Sequence, residues 1–147
     1  MHHELHTEID IDAAPEKVWQ VLVDLDRYPE WNPFITSSVG TPEVGETLVN
    51  RMDPPDGKAL TFKPEVTVVD DGKTFEWLGR LGLPGVFDGR HRFEIEASAT
   101  GTRLTQRESF DGVLVRFFRK SLDTNTKSGF EALNVALKAR AESAAAG

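Results

Sequence analysis

The chain opens on strict alternation, Leu5, Thr7, Ile9 and Ile11 against His6, Glu8, Asp10 and Asp12, the period-two pattern of a strand with one buried face. Ala14-Pro15-Glu16 then begins a helix, with proline in the first turn, where its missing donor costs nothing. Val18, Trp19, Leu22 and Leu25 give that helix an apolar face at helical spacing. The run Tyr28-Pro29-Glu30-Trp31-Asn32-Pro33 breaks it, because a residue that precedes proline is biased out of the helical region.

Alternation returns in the middle of the chain. Leu48, Asn50 and Met52 share one face, and the proline-rich loop 53–57 ends their strand. Phe62, Pro64, Val66 and Val68 alternate with polar neighbours as one further strand, closed by the turn Asp70-Asp71-Gly72. Phe75, Trp77 and Gly79 come next, followed by the turn Gly82-Leu83-Pro84-Gly85. Phe87, Gly89, His91, Phe93 and Ile95 then share an inward face, as do Leu104, Gln106, Glu108 and Phe110 after Thr100-Gly101. Beyond Gly112 the period becomes helical: Phe118, Leu122, Asn125 or Thr126, Gly129, Leu133, Ala136 and Leu137 form a stripe that predicts a helix over 117–141. A stripe of that length needs a large apolar surface, and the meander of strands offers one. The expected fold class is α+β, a curved antiparallel sheet of about seven strands gripping a long C-terminal helix, with two short helices after strand 1. No repeat or linker divides the 147 residues, so one domain over 1–147 is expected.

Strand pairing decides which side chains meet. With Thr100-Gly101 as a two-residue turn, Ala97 faces Leu104, Ile95 faces Gln106, Phe93 faces Glu108 and His91 faces Phe110. His91 and Glu108 are then diagonal neighbours beneath the terminal helix, beside Gln106. Trp77 falls opposite Gly89 or His91, so Trp77, His91, Glu108 and Asn50 line one space. A buried carboxylate is costly unless it is paired or solvated. Either these groups form a satisfied internal network, or they edge a cavity that is apolar except at a few points, the make-up of a small-molecule site. The cavity is the preferred reading. Gly129, mid-helix, costs about 1 kcal/mol relative to alanine and so needs a packing reason. It gives clearance to a ligand, or lets the helix approach Trp77 or Trp31.

Composition narrows the function. Twenty-four acidic against 17 basic side chains leave a net charge of −7, the wrong sign for a nucleic-acid surface. No cysteine is present, which excludes disulfides and thiolate chemistry. The first residues carry His, Glu and Asp rather than the apolar stretch of a signal peptide. No run reaches the roughly 18 apolar residues of a membrane span, so a cytoplasmic protein is expected. His2, His3 and His6 do not make a closed ligand set, and neither a metal nor a cofactor is expected. Glu108 and His91 are the catalytic candidates of an alternative reading, an acid–base pair for cyclisation, dehydration or isomerisation of a carbonyl substrate. No activated nucleophile, phosphate loop or metal motif accompanies them. Arg116, Arg119, Lys120 and Lys127 suggest either a solvated helix face or a protein-interaction module.

Ala14-Pro15-Glu16-Lys17-Val18-Trp19, with Asp24 and the Tyr28-Pro29-Glu30-Trp31-Asn32-Pro33 run, resembles the opening of the START-related helix-grip (SRPBCC) superfamily. Phe75-Glu76-Trp77, Gly89-Arg90-His91-Arg92-Phe93, the stretch from Thr102 to Gly112 and Gly129-Phe130-Glu131-Ala132-Leu133-Asn134 resemble the later elements of a polyketide cyclase/dehydrase-like bacterial subfamily. That resemblance implies an apolar cavity roofed by the last helix and a small hydrophobic ligand such as a lipid, polyketide or aromatic metabolite. Trp31, Trp77, Phe93 and Phe110 are expected as apolar walls, and His91, Glu108 and Gln106 as the groups that orient a polar part of the ligand. Asn50, Gly129 and Leu133 complete the expected site, with loops 53–57 and 82–85 at its mouth.

Overall fold

The computed structural model describes residues 1–55, 57–80 and 82–146, the side chains only as far as Ser143; Asp56 of the predicted mouth loop lies outside the described residues. The opening alternation forms β1 (His2–Ile11), with Leu5, Thr7 and Ile11 buried. Helix α1 (Pro15–Val23) buries Val18, Trp19 and Leu22 and keeps its proline in the first turn. A 3₁₀ turn, Leu25–Arg27, leads into α2 (Tyr28–Trp31), so the proline that helps end α1 also sits in the first turn of the next helix. Asn32 stops α2: its Oδ1 accepts hydrogen bonds from the N–H groups of Phe34 (3.0 Å) and Ile35 (2.9 Å). The chain turns there into β2 (Ile35–Val39), a strand the sequence pattern did not single out.

Six more strands follow: β3 (Val49–Met52), β4 (Leu60–Phe62), β5 (Glu65–Asp70), β6 (Thr74–Arg80), β7 (Asp88–Ser98) and β8 (Gly101–Asp111). They form a five-stranded sheet, β1-β8-β7-β6-β5, and a three-stranded one, β2-β3-β4, all antiparallel. The strand expected through Phe62 and Val68 is two strands in different sheets. Pro64 separates them, since a residue without an N–H cannot continue a ladder. Its carbonyl still accepts from the Leu48 N–H at 2.8 Å and holds the two sheets together at the crossing.

The β7–β8 register differs from the expected one by two residues. Ser98 pairs with Gly101, so the turn is Ala99-Thr100; Ile95 faces Leu104, Phe93 faces Gln106 and His91 faces Glu108 directly. Gly101 explains the shift. It adopts φ +140° inside the strand, where a Cβ would stand 2.6 Å from the Ile11 carbonyl oxygen, so this glycine serves the contact with the end of β1 and not the turn. A slip of two leaves every side chain on its expected face.

The C-terminal segment is longer and less regular than a helix over 117–141. A 3₁₀ turn (Val115–Phe117), α3 (Arg119–Ser121), a π turn (Leu122–Thr126) and α4 (Lys127–Ala146) follow one another. Leu122, Gly129, Leu133 and Leu137 are buried as the stripe predicts, together with Phe130, Asn134 and Ala141. Phe118 is exposed instead. Phe118 caps α3 with a non-helical backbone (φ −114°, ψ 2°), so helical spacing does not carry it onto the face of Leu122. That face packs on β1 and α1.

Candidate functional site

His91 on β7 and Glu108 on β8 stand opposite each other, and His91 Nδ1 lies 3.0 Å from Glu108 Oε1. On its other side His91 Nε2 is 2.9 Å from Gln106 Oε1. The Gln106 amide nitrogen donates to the Phe130 carbonyl (2.9 Å) and to Asn134 Oδ1 (2.6 Å), and Asn134 donates in turn to Thr7 Oγ1 (3.0 Å). This chain of contacts fixes the proton on the imidazole. Reversing the Gln106 amide would set its oxygen against two other oxygens, so its oxygen must face His91, and Nε2 must carry hydrogen. Nδ1 then either accepts from a neutral Glu108 carboxyl or, doubly protonated, donates to the carboxylate. In both cases one proton lies between Nδ1 and Oε1. The ring is held flat by a stack on Trp77 (centroids 5.1 Å apart) and by the edge of Phe130 at 4.7 Å.

Above this pair lies a cavity of about 80 Å³. The large sheet contributes Trp77, Gly79, Gly89, His91, Glu108 and Phe110 to its wall; the small sheet contributes Met52, Leu60 and Phe62; Phe34, Phe87 and Phe130 close it. Two glycines make the hollow. Gly79 and Gly89 face each other across β6 and β7, and a Cβ at Gly89 would meet only Glu108 Oε2 and the Phe110 ring, at 3.6 Å. Among the described residues Glu108 Oε2 has no hydrogen-bond partner; its Oε1 is the oxygen bonded to His91 Nδ1.

Of the residues expected at the site, Trp77, His91, Glu108 and Phe110 line the cavity. The others do not reach it. Gln106 is fully buried behind His91, and Phe93 and Leu133 belong to the core. Asn50 is also fully buried, its Oδ1 accepting from Ser38 Oγ at 2.6 Å. Trp31 is on a separate shallow cleft with Lys17 and Arg140, its ring against the edge of Tyr28. Gly129 lies against Phe34, where a Cβ would come within 2.2 Å of the ring. It therefore clears space for a core phenylalanine rather than for a ligand, Trp77 or Trp31. Loops 53–57 and 82–85 contribute flanks instead of tips: Met52 and Leu60 on one side, Arg80 and Phe87 on the other.

The pattern did not pick out Gly79, Gly89, Phe34, Phe62, Phe87 or Phe130 as wall residues. The glycines carried a usable signal, since two of them at inward positions of neighbouring strands leave a gap in any close-packed face. The first-strand histidines are tied to carboxylates: His2 to Asp111 (2.7 Å) and more loosely to Glu4 (3.6 Å), His3 to Asp123 (2.6 Å) and His6 to Glu8 (2.8 Å). The Asp111 carboxylate, its hydrogen-bond partner, raises the pKa of His2.

Residues 2–142 match the family described as polyketide cyclase / dehydrase and lipid transport. The chain belongs to that family. Its α+β helix-grip fold is shared with solved structures of low sequence identity. The di-domain ARO/CYC StfQ of the steffimycin biosynthetic pathway superposes with a TM-score of 0.81 at 16% identity, over 100% of this chain and 53% of its own. The chain thus spans about half the length of that relative. The Zhui aromatase/cyclase of a Streptomyces species gives 0.78 at 16% identity over 97% and 94% of the two chains. A Mesorhizobium loti protein gives 0.70 at 22% identity over 92% and 94%. No curated protein sequence matches the chain.

Proposed function

We propose that this member of the family binds a small, mainly apolar molecule in the cavity between the two sheets, with one polar group of that molecule on Glu108. The observation that carries this reading is Glu108 itself. Among the described residues one carboxyl oxygen faces His91 and the other has no hydrogen-bond partner, and apart from His91 and Arg80 the surrounding wall is aromatic, aliphatic or glycine. An apolar cavity with one oriented polar group is how proteins select small ligands. The volume limits the ligand in this state: a cavity of about 150 Å³ is known to hold benzene, and this one is about 80 Å³. A fused-ring ligand therefore needs Phe62 or Phe87 to swing outward, and both are only partly buried.

A second reading is favoured by the proton between Nδ1 and Oε1. With His91 doubly protonated, the Nδ1–H bond holds Glu108 as a carboxylate, and its second oxygen, Oε2, can take a proton from a carbon beside a carbonyl of the bound molecule, leaving a neutral carboxyl and an enolate. That chemistry suits a cyclisation, dehydration or isomerisation. Gln106 would then act only by positioning His91.

Titration with naphthol, followed by tryptophan fluorescence, tests the cavity. Gly89→Val should abolish binding while the unfolding midpoint stays level or rises, because a Cβ there stands at ordinary contact distance from Glu108 and Phe110, the methyls fill the hollow, and valine suits a strand better than glycine. Glu108→Gln should weaken binding by about tenfold, the worth of one hydrogen bond to a charged or acidic group. Naphthol binding that survives Gly89→Val unchanged would place the site elsewhere.

A further inference from the structure

Next to Phe87, which lines the cavity, two loops are laced together. The Val113 N–H donates to the Gly85 carbonyl (3.0 Å) and the Leu114 N–H to the Val86 carbonyl (3.1 Å). From this seam large apolar side chains stand out in water: Leu83 is 75% exposed, Val113 65%, Phe117 66% and Phe118 47%. Val115 and Leu122, between and after them, are buried and anchor the segment. A lone exposed leucine needs no explanation, but four such side chains on two bonded loops do.

Charge separates this surface from the rest of the molecule. The chain carries a net −7, yet Arg116, Arg119, Lys120 and Lys127 fall within fifteen residues that hold a single acid, Asp123. Asp123 is occupied by His3. Every arginine outside this stretch sits in an ion pair. Among the described residues Arg116 and Arg119 do not, and Arg116 instead lies over the Phe117 ring at 4.8 Å. Unpaired cations interleaved with exposed aromatic and aliphatic side chains are the chemistry of a segment that lies in the headgroup region of an anionic bilayer. Among the described residues no helix is long and apolar enough to cross a membrane, so contact would be superficial.

We propose that the surface formed by Leu83, Val113, Phe117 and Phe118, with Arg116, Arg119 and Lys120, docks this protein on anionic lipid membranes. The apolar side chains enter the acyl boundary and the cations meet phosphate. Docking sets the Phe87 wall of the cavity against the bilayer, because Phe118 packs edge-on against Phe87 (5.6 Å), which lines the cavity. The proposal is independent of which molecule the cavity holds.

Co-sedimentation with vesicles of phosphatidylcholine alone, or of phosphatidylcholine with phosphatidylglycerol, tests it. Binding is expected only to the phosphatidylglycerol vesicles and should fall as salt is raised. Arg116→Glu with Arg119→Glu should weaken it by at least roughly thirtyfold, given the worth of each cation near an anionic surface. Both residues are exposed, so the unfolding midpoint should not move. Since the chain has no cysteine, Phe117→Cys gives a unique site for an environment-sensitive fluorophore, whose emission should shift to the blue on those vesicles. Failure to sediment with either vesicle overturns the proposal and leaves the cations to an acidic protein. Equal binding to both vesicles, or binding unchanged in the double variant, overturns it too.

Discussion

Gln106 holds its amide nitrogen between the Phe130 carbonyl and Asn134, and its oxygen against His91 Nε2. Leucine has nearly the same volume but none of these bonds. Gln106→Leu should therefore cost about 2–4 kcal/mol in urea unfolding, the penalty for leaving several buried polar groups unmatched. In nitrogen-15 spectra of the surviving folded protein, His91 should lose its uniform Nε2-protonated signature. An unchanged signature would mean that Glu108 alone sets the tautomer. The sequence places His91, Glu108 and Gln106 on the inner face by parity alone. It does not show that Gln106 is a support for His91 rather than a ligand contact, because that role depends on Phe130 and Asn134. Their orientation is set by the phase of α4, which the π turn changes.

At the scale of elements, α4 is tied down at several points along its length. Gly129 admits the Phe34 ring, so Gly129→Ala should destabilise by about 1–3 kcal/mol through overpacking, although alanine gains about 1 kcal/mol in helix propensity. Chemical denaturation measures the difference directly. Further along, Glu142 accepts from Lys138 and from the Asp12 N–H, and Arg140 donates to Glu30 at 2.8 Å, joining α4 to α2. The Lys138 bond first, then the Asp12 N–H, lowers the pKa of Glu142; the Arg140 bond does the same for Glu30. A carboxylate whose pKa is lowered by folding stabilises the fold above its unfolded pKa and stops doing so as pH falls through the folded one. The thermal midpoint should accordingly decline below about pH 4.5, and Glu142→Gln should reduce that decline. An identical pH profile in the variant would remove Glu142 from the helix anchorage. Element types were legible because period two and helical period are distinct; boundaries were less so. Pro64 divides a run that alternates without interruption, and Gly101 moves a turn that Thr100-Gly101 marks only by composition.

For the molecule as a whole, the curved sheet and long helix could be read from the order of periodic segments, while the presence of two sheets could not. That division produces the cavity, since walls from β3 and β4 face walls from β6, β7 and β8 across the break at Pro64. The exposed surface at 113–118 was equally hidden. Phe118 belongs to the helical stripe by spacing, and its non-helical backbone at the start of α3 puts it in water. The topology also has a consequence for how the chain reaches this state. β1 pairs along its whole length with β8, and its His2–Asp111 contact closes a separation of 109 residues. On the ribosome the first strand emerges early and meets its neighbour only when most of the chain has been made. Leu5, Ile9 and Ile11 must wait unpaired through that interval. Closing such long loops before any compensating contact forms is what slows folding in chains of this kind. The alternating charges of β1, which mark its solvent face in the finished sheet, also keep the waiting strand from pairing with another copy.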